Sequence, residues 1–231
     1  MIDIRRFEDL GTFQNDWLDA HYHFSFSRYY DPARMGHGKL RVWNDDRIRA
    51  QTGFPPHGHR DMEIITYVRQ GAITHEDSLG NKGRTEAGDV QVMSAGRGVQ
   101  HSEWNAETSE TTLFQIWIEP SEAGGAPGWG ARKFPKADRS GQWAVLASGD
   151  RKEDALPIRQ NAKVLGATIK TDESLEYTLS DGRYGYFVLA DGQVELNGET
   201  LNARDGAAVT GPETLTFKGL RNAEIVFVDT V

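Results

Sequence analysis

All seven histidines of this 231-residue chain lie within its first 101 residues, and the chain contains no cysteine. Metal chemistry therefore belongs to the first half and must use imidazoles and carboxylates, with no thiolate to impose zinc or an iron–sulfur cluster. Two short strings concentrate the possibilities. In Pro55-Pro56-His57-Gly58-His59-Arg60-Asp61-Met62-Glu63, His57 and His59 are two apart, which on an extended chain sends both rings to one face. In Gly96-Arg97-Gly98-Val99-Gln100-His101-Ser102-Glu103-Trp104-Asn105, His101 and Glu103 repeat that spacing. A lone His-x-His arises often by chance. Two such pairs on neighbouring strands would bring three imidazoles and a carboxylate to one interior, an arrangement costly to bury without a cation. These donors suit Fe²⁺, Mn²⁺, Co²⁺, Ni²⁺, Cu²⁺ or Zn²⁺. Four ligands on one side of an octahedral ion leave two positions open for substrate or O₂.

The other candidates read more plainly. His75, beside Glu76 and Asp77, is expected to be a solvated surface residue, and His21 and His37 to be incidental. Ser102 and His101 could be imagined in a nucleophilic triad, but no nucleophile-elbow string accompanies them. Gly96-Arg97-Gly98 follows a strand without opening a helix, so it reads as the turn that delivers His101 rather than a phosphate loop. The aromatic group Trp17, Tyr22, Phe24, Phe26, Tyr29 and Tyr30 is expected to be mainly core.

The elements that must position these residues are β-like. Twenty-five glycines punctuate short alternating segments. Phe24-Ser25-Phe26, Leu40–Trp43, Glu63–Val68, Val90–Met93, Leu113–Ile118, Tyr184–Leu189, Gln193–Leu196, Leu215–Phe217 and Glu224–Val228 read as strands. Turns are expected at Gly80-Asn81-Lys82, Asp191-Gly192 and Asn197-Gly198, and one short helix near Leu10–Asp19. The run Ile65–Val92 and the run Tyr186–Val209 share an order of strand, turn glycine, strand, hairpin, Gly/Asp turn and strand, which suggests a duplicated β unit. Between them, Glu119–Gln142 carries Pro120, Pro127 and Pro135 and loses alternation, as a crossover between domains would. The expected fold is all-β, two barrels or jelly rolls in tandem over residues 1–135 and 136–231. The second lacks His and Cys, and its carboxylates Glu195, Glu199, Asp205 and Glu213 are expected to be solvated, leaving it without metal.

Charge and hydropathy remove other classes. The formal net charge is −8, with no basic run to displace counterions, so general nucleic-acid binding is not expected. No apolar run approaches the length needed to span a bilayer, and mixed charges near Met1 speak against a secretory signal, so a reducing cytoplasm is the expected address.

His-x-His-x3-Glu followed by Gly-x2-His-x3-Asn resembles the paired motifs of the cupin superfamily. A longer set resembles the pirins, particularly bacterial pirin-like proteins of the quercetin 2,3-dioxygenase type: Trp17-Leu18-Asp19, Phe24-Ser25-Phe26, Tyr29-Tyr30-Asp31-Pro32, Leu40-Arg41-Val42, Gly53–Glu63, Ser94–Gly98 and His101-Ser102-Glu103-x-Asn105. The resemblance implies a bicupin whose metal ligands are His57, His59, His101 and Glu103, the set that strand geometry also selects. Glu103 would be ligand and base. The glutamate of the general cupin motif falls on Glu63, which pirins do not usually count as a ligand. Glu63, His23 and the same-face pair Gln115 and Trp117 are expected beside the ligands or in the pocket. The chain departs from many pirins at Gly58, where a proline is common, and at Tyr22-His23-Phe24-Ser25-Phe26, where many read His-Thr-Phe-Ser-Phe.

The activity so implied is dioxygenation of quercetin or a similar flavonol or enol, with ring opening and loss of carbon monoxide. The expected cofactor is one divalent transition metal, Fe(II) first, with Zn, Ni, Mn, Co or Cu as alternatives in purified protein. The partners are a small aromatic or enol-type substrate and O₂. The alternative is a non-catalytic, redox-sensing metalloprotein that binds transcription or metabolic proteins, which an acidic surface also suits.

Overall fold

The computed structural model describes residues 2–231 and is almost entirely β. In the first half, a seven-stranded sheet runs in the order Gly128–Arg132, Val90–Ser94, Glu63–Gln70, Thr111–Ile118, Leu40–Ile48, Leu18–Tyr22 and Gly11–Gln14. A four-stranded sheet runs in the order Thr52–His59, Val99–Asn105, Ala72–Asp77 and Lys82–Glu86. Apolar side chains of both sheets, including Leu18, Ile48, Leu113 and Ile73, pack in one cluster between them. The second half contributes eight strands to a nine-stranded sheet dominated by two long strands, Tyr184–Leu196 and Glu213–Thr230. Its own core contains Phe187, Phe217 and Phe227. These are the two tandem β units that the alternation predicts, the pair that the cupin resemblance implies. No helix among the described residues is long and apolar enough to cross a membrane.

A third cluster belongs to neither half alone. Trp43, Tyr67, Phe114 and Ile116 of the first half pack with Tyr186, Val188, Val226 and Val228 of the second. At its edge Arg139, fully buried, donates from Nη2 to the Tyr67 hydroxyl at 2.6 Å and to Glu224 Oε1 at 3.2 Å.

Several expectations need correction. Leu10–Asp19 is a hairpin rather than a helix: Gly11–Gln14 pairs with Leu18–Tyr22, and the Asn15 side chain closes the turn by accepting from the Trp17 and Leu18 amides. Burial alternates along Leu18–Tyr22, the period of a strand. Phe24-Ser25-Phe26 is not a strand, and only an isolated bridge joins Phe26 to Tyr29. The expected turn at Asp191-Gly192 is a bulge inside one continuous strand. Gly192 has φ +87°, and a Cβ there would stand 2.1 Å from the Asn222 carbonyl oxygen. Asn197 and Gly198 do form a tight turn, both with positive φ. The crossover contains a strand, Gly128–Arg132, that joins the first half's sheet.

Asp205 is buried rather than solvated, because it accepts from Arg6 Nη1 at 3.0 Å and from the Phe7 amide at 2.9 Å. Beside it the strand Ile2–Arg5 pairs with Gly206–Thr210. The first strand of the chain thus completes the sheet of the second half, on the far side of the division expected at residue 135.

Candidate metal centre

The strands Thr52–His59 and Val99–Asn105 are antiparallel neighbours, with His57 directly opposite His101. His59, two residues on, returns to the same face. The ring centroids stand 4.7 Å apart for His57 and His59, 4.5 Å for His57 and His101, and 4.9 Å for His59 and His101. One nitrogen from each ring lies within 4.8 Å of the others. His57 Nε2 and His101 Nε2 are 3.1 Å apart. His57 Nδ1 is 2.8 Å from the Pro55 carbonyl oxygen. A carbonyl can only accept, so the proton of neutral His57 sits on Nδ1 and its Nε2 lone pair faces the cluster.

Burial, with the charge of neighbouring His57, lowers the His59 pKa to about 4. Burial, then the charges of His57, His59 and His75, lowers that of His101 to about 2. At neutral pH both rings are neutral lone-pair donors. Converging nitrogens at this spacing, with no acidic group among them, fit a divalent borderline cation.

Glu103 occupies the same interior but stands outside the three-histidine cluster. A register shift separates it from His101 along the His57 strand. Its Oε1 accepts from Thr66 Oγ1 at 3.1 Å and Gln91 Nε2 at 2.8 Å, and its Oε2 accepts from Gln115 Nε2. Burial pushes its carboxyl pKa up, against the pull of these donors and of His75.

The histidines and Glu103 line one cavity of about 350 Å³, at the low end of the roughly 300–1,000 Å³ typical of small-molecule sites. Its walls are largely aromatic: Phe13, Trp17, Tyr22, Phe26, Phe54 and Trp117. Much of the cluster expected to be core therefore faces a cavity. Gln115 and Trp117 both line it, and Trp117 meets the His59 ring edge-on at 5.0 Å. Glu63 and His23 lie off it. Glu63 accepts from Ser94 Oγ at 2.6 Å. His23 is fully buried against the second half, its Nδ1 2.8 Å from the Tyr186 hydroxyl.

Sequence reasoning missed Asn44 and Asp46 on the cavity wall, where burial followed by the charges of Asp45 and Glu103 raises the Asp46 pKa well above the carboxylate range. The signal was three consecutive polar residues, Asn44-Asp45-Asp46, between Val42-Trp43 and Ile48 in one strand. It also misread His75, which is fully buried and stacks on Trp129 with centroids 4.9 Å apart.

A twin-barrel chain with imidazoles converging in its first barrel is a bicupin, with one candidate metal centre among the described residues. Family models agree: pirin matches residues 4–118 and the quercetinase C-terminal cupin domain matches residues 145–230. The chain is 59% identical to a pirin-like protein of Caulobacter vibrioides over 99% of both chains. It is 37% identical to quercetin 2,3-dioxygenase of Escherichia coli K12 over 99% of this chain and 98% of that one. The crystal structure of the Escherichia coli pirin YhhW in complex with nickel(II) superposes with a TM-score of 0.94 at 35% identity, covering 100% of this chain and 99% of that one. The protein belongs to the pirin family.

Proposed function

We propose that this pirin is a metal-dependent dioxygenase that acts on quercetin or a related flavonol or enol with O₂, using His57, His59, His101 and Glu103. The observation that carries this reading is the position of three converging imidazoles and one buried carboxylate in a single aromatic-walled cavity. A divalent transition ion, Fe(II) by this reading, supplies Lewis acidity toward the hydroxy-ketone edge of the substrate and redox access to O₂. Trp17, Phe54 and Trp117 supply flat apolar contacts for an aromatic ring and exclude water. Glu103 takes the proton of the substrate hydroxyl. Its raised pKa brings it closer to the range of an effective base, and Thr66, Gln91 and Gln115 fix its direction.

The test is oxygen uptake by Fe(II)-loaded protein given quercetin. Turnover that disappears in Glu103→Ala supports the reading. Fully loaded protein that consumes no oxygen, yet captures a protein partner only in one metal redox state, would replace it with the regulatory alternative.

A further inference from the structure

His75 has the geometry of a residue built to serve His101. It lies on the strand Ala72–Asp77, which pairs with the His101 strand on the side away from His57. Its Nδ1 is 3.4 Å from His101 Nδ1, and its Nε2 is 3.0 Å from Asp77 Oδ2. The neighbouring structure holds the ring in place. Directly opposite His75 is Gly83, and a Cβ at Gly83 would stand 2.1 Å from the Trp129 ring. The absence of that side chain lets the indole lie flat on His75, at an interplanar angle of 8°.

Hydrogen bonding then determines where each proton resides. Asp77 Oδ1 accepts the Leu79 amide at 2.9 Å and the Asn81 amide at 3.0 Å, and Oδ2 accepts Asn81 Nδ2 at 2.9 Å. With donors on both oxygens, Asp77 is an acceptor, so the proton of neutral His75 sits on Nε2 and its lone pair on Nδ1. That lone pair requires a proton on His101 Nδ1. The lone pair of His101 is thereby placed on Nε2, the atom that faces His57 Nε2.

We infer that His75, held by Asp77, is a positioning residue that keeps His101 Nε2 free of a proton and aimed into the three-histidine cluster. The inference rests on the metal-centre reading and adds to the ligand set a buried support of two further residues. Pro55 performs the same task for His57 through its carbonyl.

The experiment measures Co(II) binding by competition with a chromophoric chelator, and the paramagnetically shifted exchangeable proton of His101 Nδ1 by NMR. His75→Phe removes the acceptor and is expected to weaken Co(II) binding about 10–100-fold and to speed exchange of that proton. His75→Gln, whose amide oxygen can accept, is expected to restore most of the affinity. Asp77→Asn is nearly isosteric, yet it presents an amide N–H to His75 Nε2, reverses the chain of donors and is expected to weaken binding as His75→Phe does. Wild-type affinity and slow exchange in both His75→Phe and Asp77→Asn would overturn the inference while leaving the metal centre intact. A wild-type protein that binds no Co(II) would overturn the metal-centre reading and this inference with it.

Discussion

Arg204 Nε donates to Asp45 Oδ2 at 2.6 Å, joining the second barrel to the seven-stranded sheet of the first. The Asp45 side chain is fully buried, and its other oxygen accepts from Arg69. Removing one partner of a buried pair strands the other, at about 3–5 kcal/mol. Asp45→Ala, which strands Arg69, is expected to lower Tm by roughly 10 °C. Arg204→Met leaves Asp45 paired with Arg69 and is expected to lower it by less than half as much. Thermal unfolding of the two variants checks the order, and equal losses would show that Arg204 contributes as much as the whole cluster.

The core shared by Trp43, Phe114, Tyr186 and Val226 predicts how the halves depend on one another. A fragment ending at residue 142 keeps every proposed ligand but exposes that surface and loses Arg204 and Glu224. It is expected to be insoluble or metal-poor. A soluble fragment with full metal content would refute this.

Elemental analysis tests the cluster itself. The wild type is expected to carry about one transition metal per chain, and the double variant His57→Ala/His101→Ala to carry almost none. Unchanged metal content in that variant would place the ion elsewhere.

The histidines also set a pH dependence for the metal-free protein. Unfolded, His59 and His101 titrate near 6.5; folded, they titrate at about 4 and about 2. Below 6.5 the unfolded chain takes up protons that the folded chain refuses. Stability in chelator is therefore expected to fall as pH drops from 6.5 towards 4, and further towards 2 on account of His101. Their contribution should be flat above 6.5. Wild type is expected to show a steeper fall than His59→Gln, measured by urea unfolding at each pH.

The strands that flank the site were legible because alternation is visible wherever one face is buried. Phe114 and Ile116 point into the shared core while Gln115 and Trp117 face the cavity, as the period-two pattern implies. The His-x-His and His-x-Glu spacings were legible for the same reason. Glycine misled where it serves a bulge. At Gly192 it lets one long strand bend, and in sequence that is indistinguishable from a turn. His75 was misread through its neighbours. Glu76 is exposed, but Ile73, His75 and Asp77 share the opposite face, and that face is buried. The charge beside a residue says little when successive side chains point in opposite directions.

The strand Ile2–Arg5 leaves the ribosome long before Gly206–Thr210, the strand it must pair with. During synthesis it must wait unpaired while about two hundred residues are added, at roughly 5–20 residues per second. The nine-stranded sheet can close only when both of these strands are available, so assembly cannot proceed strictly barrel by barrel. The earlier of the two strands is among the last to find its place.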